Sequence, residues 1–282
     1  MNSKIEFVKY RKWYFLVTLL LVVLSVASLT VQGLNLGIDF VSGTRLDIAI
    51  GKSFDLDKAK HALKELGFDN PNVRVGGKRK DVLIFRLDKK LEKADVRKIE
   101  GKINQAFAIK SNIQEQTVDP IIGRELARNA IVSLLIASVG IILYVTLRFE
   151  YRFAIAAILT LLYDAIVTVG MFSVLRLEVD VVFIAAILTI VGYSVNDTIV
   201  IFDRIRENLE KVKPAKWDEL CAVVNDSLQQ TLTRSINTVL TVLFAAACLY
   251  IFGGESISNF SLALLIGIIS GAYSSIFVAS QI

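Results

Sequence analysis

Hydrophobic positions in this chain come in long unbroken runs, not in the short alternations of a soluble core. A helix needs roughly 20 apolar residues to cross the hydrocarbon of a bilayer. Six stretches qualify. Residues 13–38 and 129–147 carry no charge, 153–175 carry only Asp164, 179–202 carry Asp180 and Asp197, and 235–254 and 256–282 carry none. The pattern predicts six transmembrane helices. The first is preceded by Lys4, Lys9, Arg11 and Lys12, as a secretory signal would be, but its apolar run is far longer than a signal core. It reads as a retained span.

Between the first two spans the period changes. Gly43 to Ile50 alternates as a strand with Leu46, Ile48 and Ile50 on one face. Ser53 or Asp55 is placed to cap a helix with the stripe Ala59, Ala62, Leu63 and Leu66. Pro71 to Val75 reads as a second strand, Gly76-Gly77 as a turn, and Asp81 to Leu87 as a third strand. A second helix carries Val96, Ile99, Ile103, Ala106 and Phe107, and Asn112 to Val118 closes the set. The order β-α-β-β-α-β is the split, ferredoxin-like pattern. The expected fold is therefore a polytopic α-helical membrane protein with a ferredoxin-like α+β domain between spans one and two.

Composition agrees: 54% of the 282 residues are hydrophobic and the mean hydropathy is +0.56. The formal charge of +5 becomes informative once it is mapped. Segments 1–12, 148–152 and 203–234 hold four, two and six Lys/Arg, against Arg176 alone in the short loops 176–178 and 253–255. Basic loops stay in the cytoplasm, so the expected partition is a cytoplasmic N-terminus (1–12), a first span (13–38), an extracytoplasmic domain (39–124) and a five-helix region (125–282) with a cytoplasmic loop (203–234). Pro214 divides that loop, with a helix expected on either side. The residues end within the sixth span, where a basic cytoplasmic tail is expected to follow.

Little else in the sequence suggests chemistry. His61 is the one histidine and sits beside the apolar stripe, as a solvated residue would. Cys221, expected in a loop, and Cys248, expected in lipid, lack metal-ligand spacing and read as unpaired thiols. Gly51-Lys52-Ser53 resembles a P-loop ending, but Leu46 stands where that motif needs its leading glycine. No enzymatic activity, metal, other cofactor or nucleic-acid partner is expected.

The charges within the spans point to function. An Asp or Arg at a helix centre costs about 2.5–3.5 kcal/mol on insertion scales. Asp197 shares its helix face with Thr189, Tyr193 and Asn196, and Gly192 is expected to admit a neighbouring backbone. Arg234 opens the fifth span, followed at helical spacing by Asn237, Thr238 and Thr241. The third span repeats the pattern with Thr160, Tyr163, Asp164 and Thr168. Three such stripes suggest one shared polar interior. There Asp197 would change protonation as Arg234 approaches or withdraws, and Asp164, Tyr193, Asn196, Asn237 and Thr238 would form an accessory path. Asp180 is placed at the outer interface. Gly267-x-x-x-Gly271, followed by Ser274, suggests close helix packing.

Gly37-Ile38-Asp39-Phe40-Val41-Ser42-Gly43-Thr44 resembles the Asp-Phe-x-Gly-Gly-Thr signature of the SecD/SecF family. The run 183–208, FIAAILTIVGYSVNDTIVIFDRIREN, and Thr231 to Thr238 resemble its fourth- and fifth-span signatures. The resemblance runs from about residue 33 to residue 282. It departs at Ser42, where a glycine is usual and serine reads as a mild change, and at Tyr163, where many members have histidine. It implies half of an RND-type bundle that works with SecD, separate or fused, beside the SecYEG channel and the SecA motor, with YajC and YidC as further partners. The cargo would be a translocating polypeptide and the surroundings lipid of the bacterial cytoplasmic membrane. Asp197 and Arg234 would be the proton-transfer pair, with Asp39, Phe40, Gly43 and Thr44 as family signature. The coupled ion, proton or sodium, stays open. The competing readings are an RND-type exporter half for lipids or small molecules, for which a domain of about 90 residues looks small, and a purely structural subunit.

Overall fold

A computed structural model describes residues 6–68, 72–77, 79–109, 111–148 and 150–282. Residues 1–5 of the expected N-terminal segment, Pro71 at the head of the expected second strand and residue 149 in the 148–152 loop lie outside the described residues. The chain forms two compact units, residues 36–131 and the chain on either side of them.

Among the described residues six helices are long and apolar enough to span a membrane. Helix α1 runs Arg11–Val31 and ends seven residues before the expected limit, where Gly33 takes a positive φ of 64°. A short α2 (Ile38–Val41) leads into the α/β unit: β1 (Gly43–Ala49), α3 (Leu56–Lys64), β2 (Asn72–Gly76), β3 (Val82–Leu87), α4 (Lys93–Phe107) and β4 (Asn112–Val118). Then follow α5 (Pro120–Arg148), α6 (Tyr151–Val174), α7 (Val181–Val212), α8 (Trp217–Phe252) and α9 (Glu255–Tyr273).

The strand order is β2-β3-β1-β4 with every pair antiparallel, the order of the ferredoxin-like pattern. Register follows from alternation: Leu46 pairs with Phe85 and Ile48 with Leu83. These four side chains are fully buried, with Leu63 of α3 and Ile99 and Ile103 of α4 in the same core. Of the two expected caps Asp55 is the one used, accepting from the Asp57 N–H at 2.9 Å. His61 is largely exposed, with Nδ1 3.1 Å from Glu65 Oε1.

The signature loop has a backbone reason for its glycine. Gly43 has φ 121°, and a Cβ there would lie 2.0 Å from the Leu87 carbonyl oxygen. Ser42, at φ 70° and ψ 168°, occupies a region that is nearly glycine-only. Serine at this position is therefore strained, not mild. Thr44 is buried, and its hydroxyl accepts the Leu91 N–H at 3.0 Å. Asp39 and Phe40 lie half-buried in α2.

In the helical unit small residues set the close approaches. A Cβ on Gly170 would meet Ser25 of α1, with the Ser25 Cα only 2.6 Å away. One on Gly267 would meet the Ile190 side chain of α7 at 2.3 Å. Gly192 does not act this way: it is exposed with nothing within 4 Å. Helices α7 and α8 run well past the expected spans; on the extension of α7 both Arg204 and Lys211 pair with Glu207. Pro214 falls in the gap between them, as expected. Cys221 therefore lies on α8 and not in a loop, and both cysteines are free and half-buried. The basic segments meet one another. The Val8 N–H donates to Asn225, Arg11 stacks over Trp217 at 5.0 Å, and Arg148 lies 3.5 Å from Asp203.

Candidate ion path in the membrane-spanning helices

Asp197 sits on α7 and is 8% exposed. Its Oδ1 accepts from Ser235 Oγ on α8 at 2.6 Å, while Oδ2 is buried without a hydrogen bond. Arg234 is exposed, and among the described residues it makes no ion pair within 4.0 Å. Helices α7 and α8 thus meet at Asp197, but the residue in contact with the carboxylate is Ser235, one position on from Arg234.

The neighbours of Asp197 form a second feature. Thr189, Gly192 and Asn196 of α7 and Arg234, Asn237, Thr238 and Thr241 of α8 are all exposed. Tyr193 bridges the two helices by donating its hydroxyl to the Thr238 carbonyl. The result is a polar strip on the outside of two membrane-spanning helices, in which Thr189, Thr238 and Thr241 donate to carbonyls of their own helices while Arg234, Asn196 and Asn237 stand exposed.

Asp164 belongs to a different environment. It is 0% exposed, and its carboxylate accepts three hydroxyls: Ser270 on Oδ1 at 2.9 Å, and Ser194 and Ser274 on Oδ2 at 2.6 and 2.8 Å. Thr160 and Thr168 turn their hydroxyls back to carbonyls of α6. The expectation of one shared interior is therefore corrected. The α6 stripe faces inward, the α7 and α8 stripes face outward, and Asp197 lies at the margin. The difference is one of helical phase: Ser194 reaches Asp164 of α6 and Thr198 reaches Ser275 in the turn that follows α9, whereas Thr189, Tyr193 and Asn196 lie on the other side of α7.

Sequence reasoning missed the serines. Ser270 and Ser274 are spaced i,i+4 and so share a face of α9, but serine among apolar residues reads equally well as a packing residue. Tyr163 is buried with a hydroxyl that makes no hydrogen bond. Asp180 caps α7 by accepting the Phe183 N–H at 2.7 Å, a structural role. Among the described residues no cluster of three or more metal-ligating side chains occurs.

Comparison with known proteins places this arrangement. Residues 98–282 match the family described as protein export membrane protein SecD/SecF, C-terminal, and residues 27–53 match the SecD/SecF GG motif. The chain is 47% identical to protein translocase subunit SecDF of Bacillus subtilis, over 99% of its own length and 38% of that protein. It is 44% identical to protein translocase subunit SecF of Alicyclobacillus acidocaldarius, over 100% of its own length and 92% of that protein. The crystal structure of SecDF, a translocon-associated membrane protein from Thermus, superposes with a TM-score of 0.89 at 34% identity, over 99% of this chain and 38% of that one. With a family match over more than half its residues and near full-length similarity to a SecF subunit, the chain belongs to the SecD/SecF family of protein-export membrane proteins.

Proposed function

We propose that this chain is the SecF-type part of a bacterial protein translocase and that it couples the proton motive force to polypeptide export through Asp197. It would sit in the cytoplasmic membrane with its N-terminus inside, as the basic segments 1–12, 148–152 and 203–234 favour, and with the ferredoxin-like domain outside. The observation that carries the reading is the half-satisfied Asp197 carboxylate beside an exposed polar strip. Lipid is a poor neighbour for that strip, whereas a SecD half, separate or fused, would cover it. The relative named SecDF, which carries the similar segment within a longer chain, supports that partner. With Asp197 at such an interface, proton exchange would bias the packing of the two halves, and Arg234 would stabilise the ionised form.

The energy available is adequate. One charge crossing 100 mV is worth about 2.3 kcal/mol, which shifts an equilibrium roughly 50-fold. The cargo would be a polypeptide passing through a neighbouring SecYEG channel under SecA, with YajC and YidC as possible companions in the assembly. The family resemblance, more than the geometry, supports these partners. The test is export of a secreted precursor in cells depleted of their own SecF. This chain should restore precursor processing, and Asn237→Cys labelled with a photo-reactive maleimide should cross-link to SecD on illumination. Normal export in cells lacking the protein altogether would end the proposal.

A further inference from the structure

We infer that Asp164 is a second site that takes up and releases a proton, held in either state by a cage of serine hydroxyls. The inference rests on the proton reading above and extends it from a carboxylate at the margin of the bundle to one in its interior.

The cage is built from three helices. Asp164 comes from α6, Ser194 from α7, Ser270 from α9, and Ser274 opens the π-helical turn Ser274–Val278 that continues α9. Turns of this kind are frequent at functional sites. No lysine, arginine or histidine pairs with Asp164 among the described residues. The titratable groups around it are Tyr163 on its own helix, Tyr273 on α9 and Tyr14 on α1, whose carbonyl takes the Tyr273 hydroxyl. Asp197 follows Ser194 by one turn of α7. A buried carboxylate without a counter-charge needs either strong donors or a proton.

Serine supplies what each state needs, because a hydroxyl both donates and accepts. In the ionised state all three hydroxyls donate to the carboxylate. On uptake the proton bonds to Oδ2, and the new O–H donates to Ser274 Oγ. The Ser274 hydroxyl then turns to the Gly271 carbonyl, already 3.1 Å away. Ser194 and Ser270 remain donors, so no buried polar group is orphaned, and release reverses the steps. Gly271 keeps the cage tight: a Cβ there would lie 3.2 Å from Ser194 Cβ and 3.7 Å from Asp164 Oδ2. Ser270 and the Tyr163 ring also border an apolar crevice of about 380 Å³ between α1, α6 and α9, which Asp164 does not reach.

The test is infrared difference spectroscopy between acid and alkaline conditions on the intact protein in lipid vesicles, with bands assigned by substitution. The wild type should show a carboxylic-acid carbonyl band that Asp164→Asn removes and Asp197→Asn leaves in place. Ser270→Ala keeps Asp164 and should move that band to higher frequency, since the carbonyl loses a hydrogen bond. A spectrum unchanged by Asp164→Asn, or a band unmoved in Ser270→Ala, would overturn the inference. Failure of the Asp197 reading is separate: export would survive Asp197→Asn while the Asp164 band behaved as described.

Discussion

Two carboxylates within one bundle have opposite surroundings, and the difference sets what each can do. Asp164 has all its hydrogen bonds inside three helices, whereas Asp197 has one, from Ser235, and a second oxygen left bare. A bare buried oxygen costs about 1–3 kcal/mol or more when charged, so within this chain the Asp197 carboxylate is the less well satisfied of the two. The same scale explains Ser42. Its φ of 70° with ψ 168° stores strain of roughly 1–3 kcal/mol. Ser42→Gly should therefore stabilise the α/β unit by about 1 kcal/mol, read as a higher thermal midpoint of the intact protein; a lower one would show that the serine side chain outweighs its backbone.

At the scale of elements, small residues decide where helices meet. Gly170→Ala would drive a methyl into the Ser25 backbone, and overpacking of this kind costs about 1–3 kcal/mol. Gly192→Ala enters open space and should gain up to about 1 kcal/mol of helix propensity. The two midpoints should move in opposite directions, and a common direction would contradict the packing described. Glycine in a span signals close approach, but the sequence does not say which glycine faces a neighbour. That is why Gly170 passed unnoticed, while within this chain Gly192 meets no neighbour. In the α/β unit, Lys102 of α4 hydrogen-bonds Glu65 at the end of α3 and holds its carboxyl below the usual range. Such a pair adds stability above the unfolded pKa and loses it as pH falls through the folded one. Lys102→Met should return the Glu65 titration toward its ordinary value by NMR, and an unmoved titration would exclude the pair as the cause.

At the scale of the whole molecule, periodicity made most of the fold legible. The 20-residue apolar runs and the β-α-β-β-α-β alternation are direct readouts of burial, and both appear in the structure. Boundaries were less legible, because α7 and α8 continue beyond their apolar runs, α7 on charge pairs that hydropathy does not see. Half of the candidate site was legible too, since an aspartate in a span is conspicuous while the serines that complete Asp164 are not. The facing of the polar stripes depends on helical phase against neighbours, which no single segment encodes. The central claim is that Asp197 carries the proton that drives export. The direct measurement is precursor translocation into sealed vesicles bearing this chain and its SecD partner, with and without an imposed proton gradient. The gradient should accelerate translocation with Asp197 and have no effect with Asp197→Asn, while ATP-driven translocation continues in both. A gradient effect that survives Asp197→Asn would contradict the account.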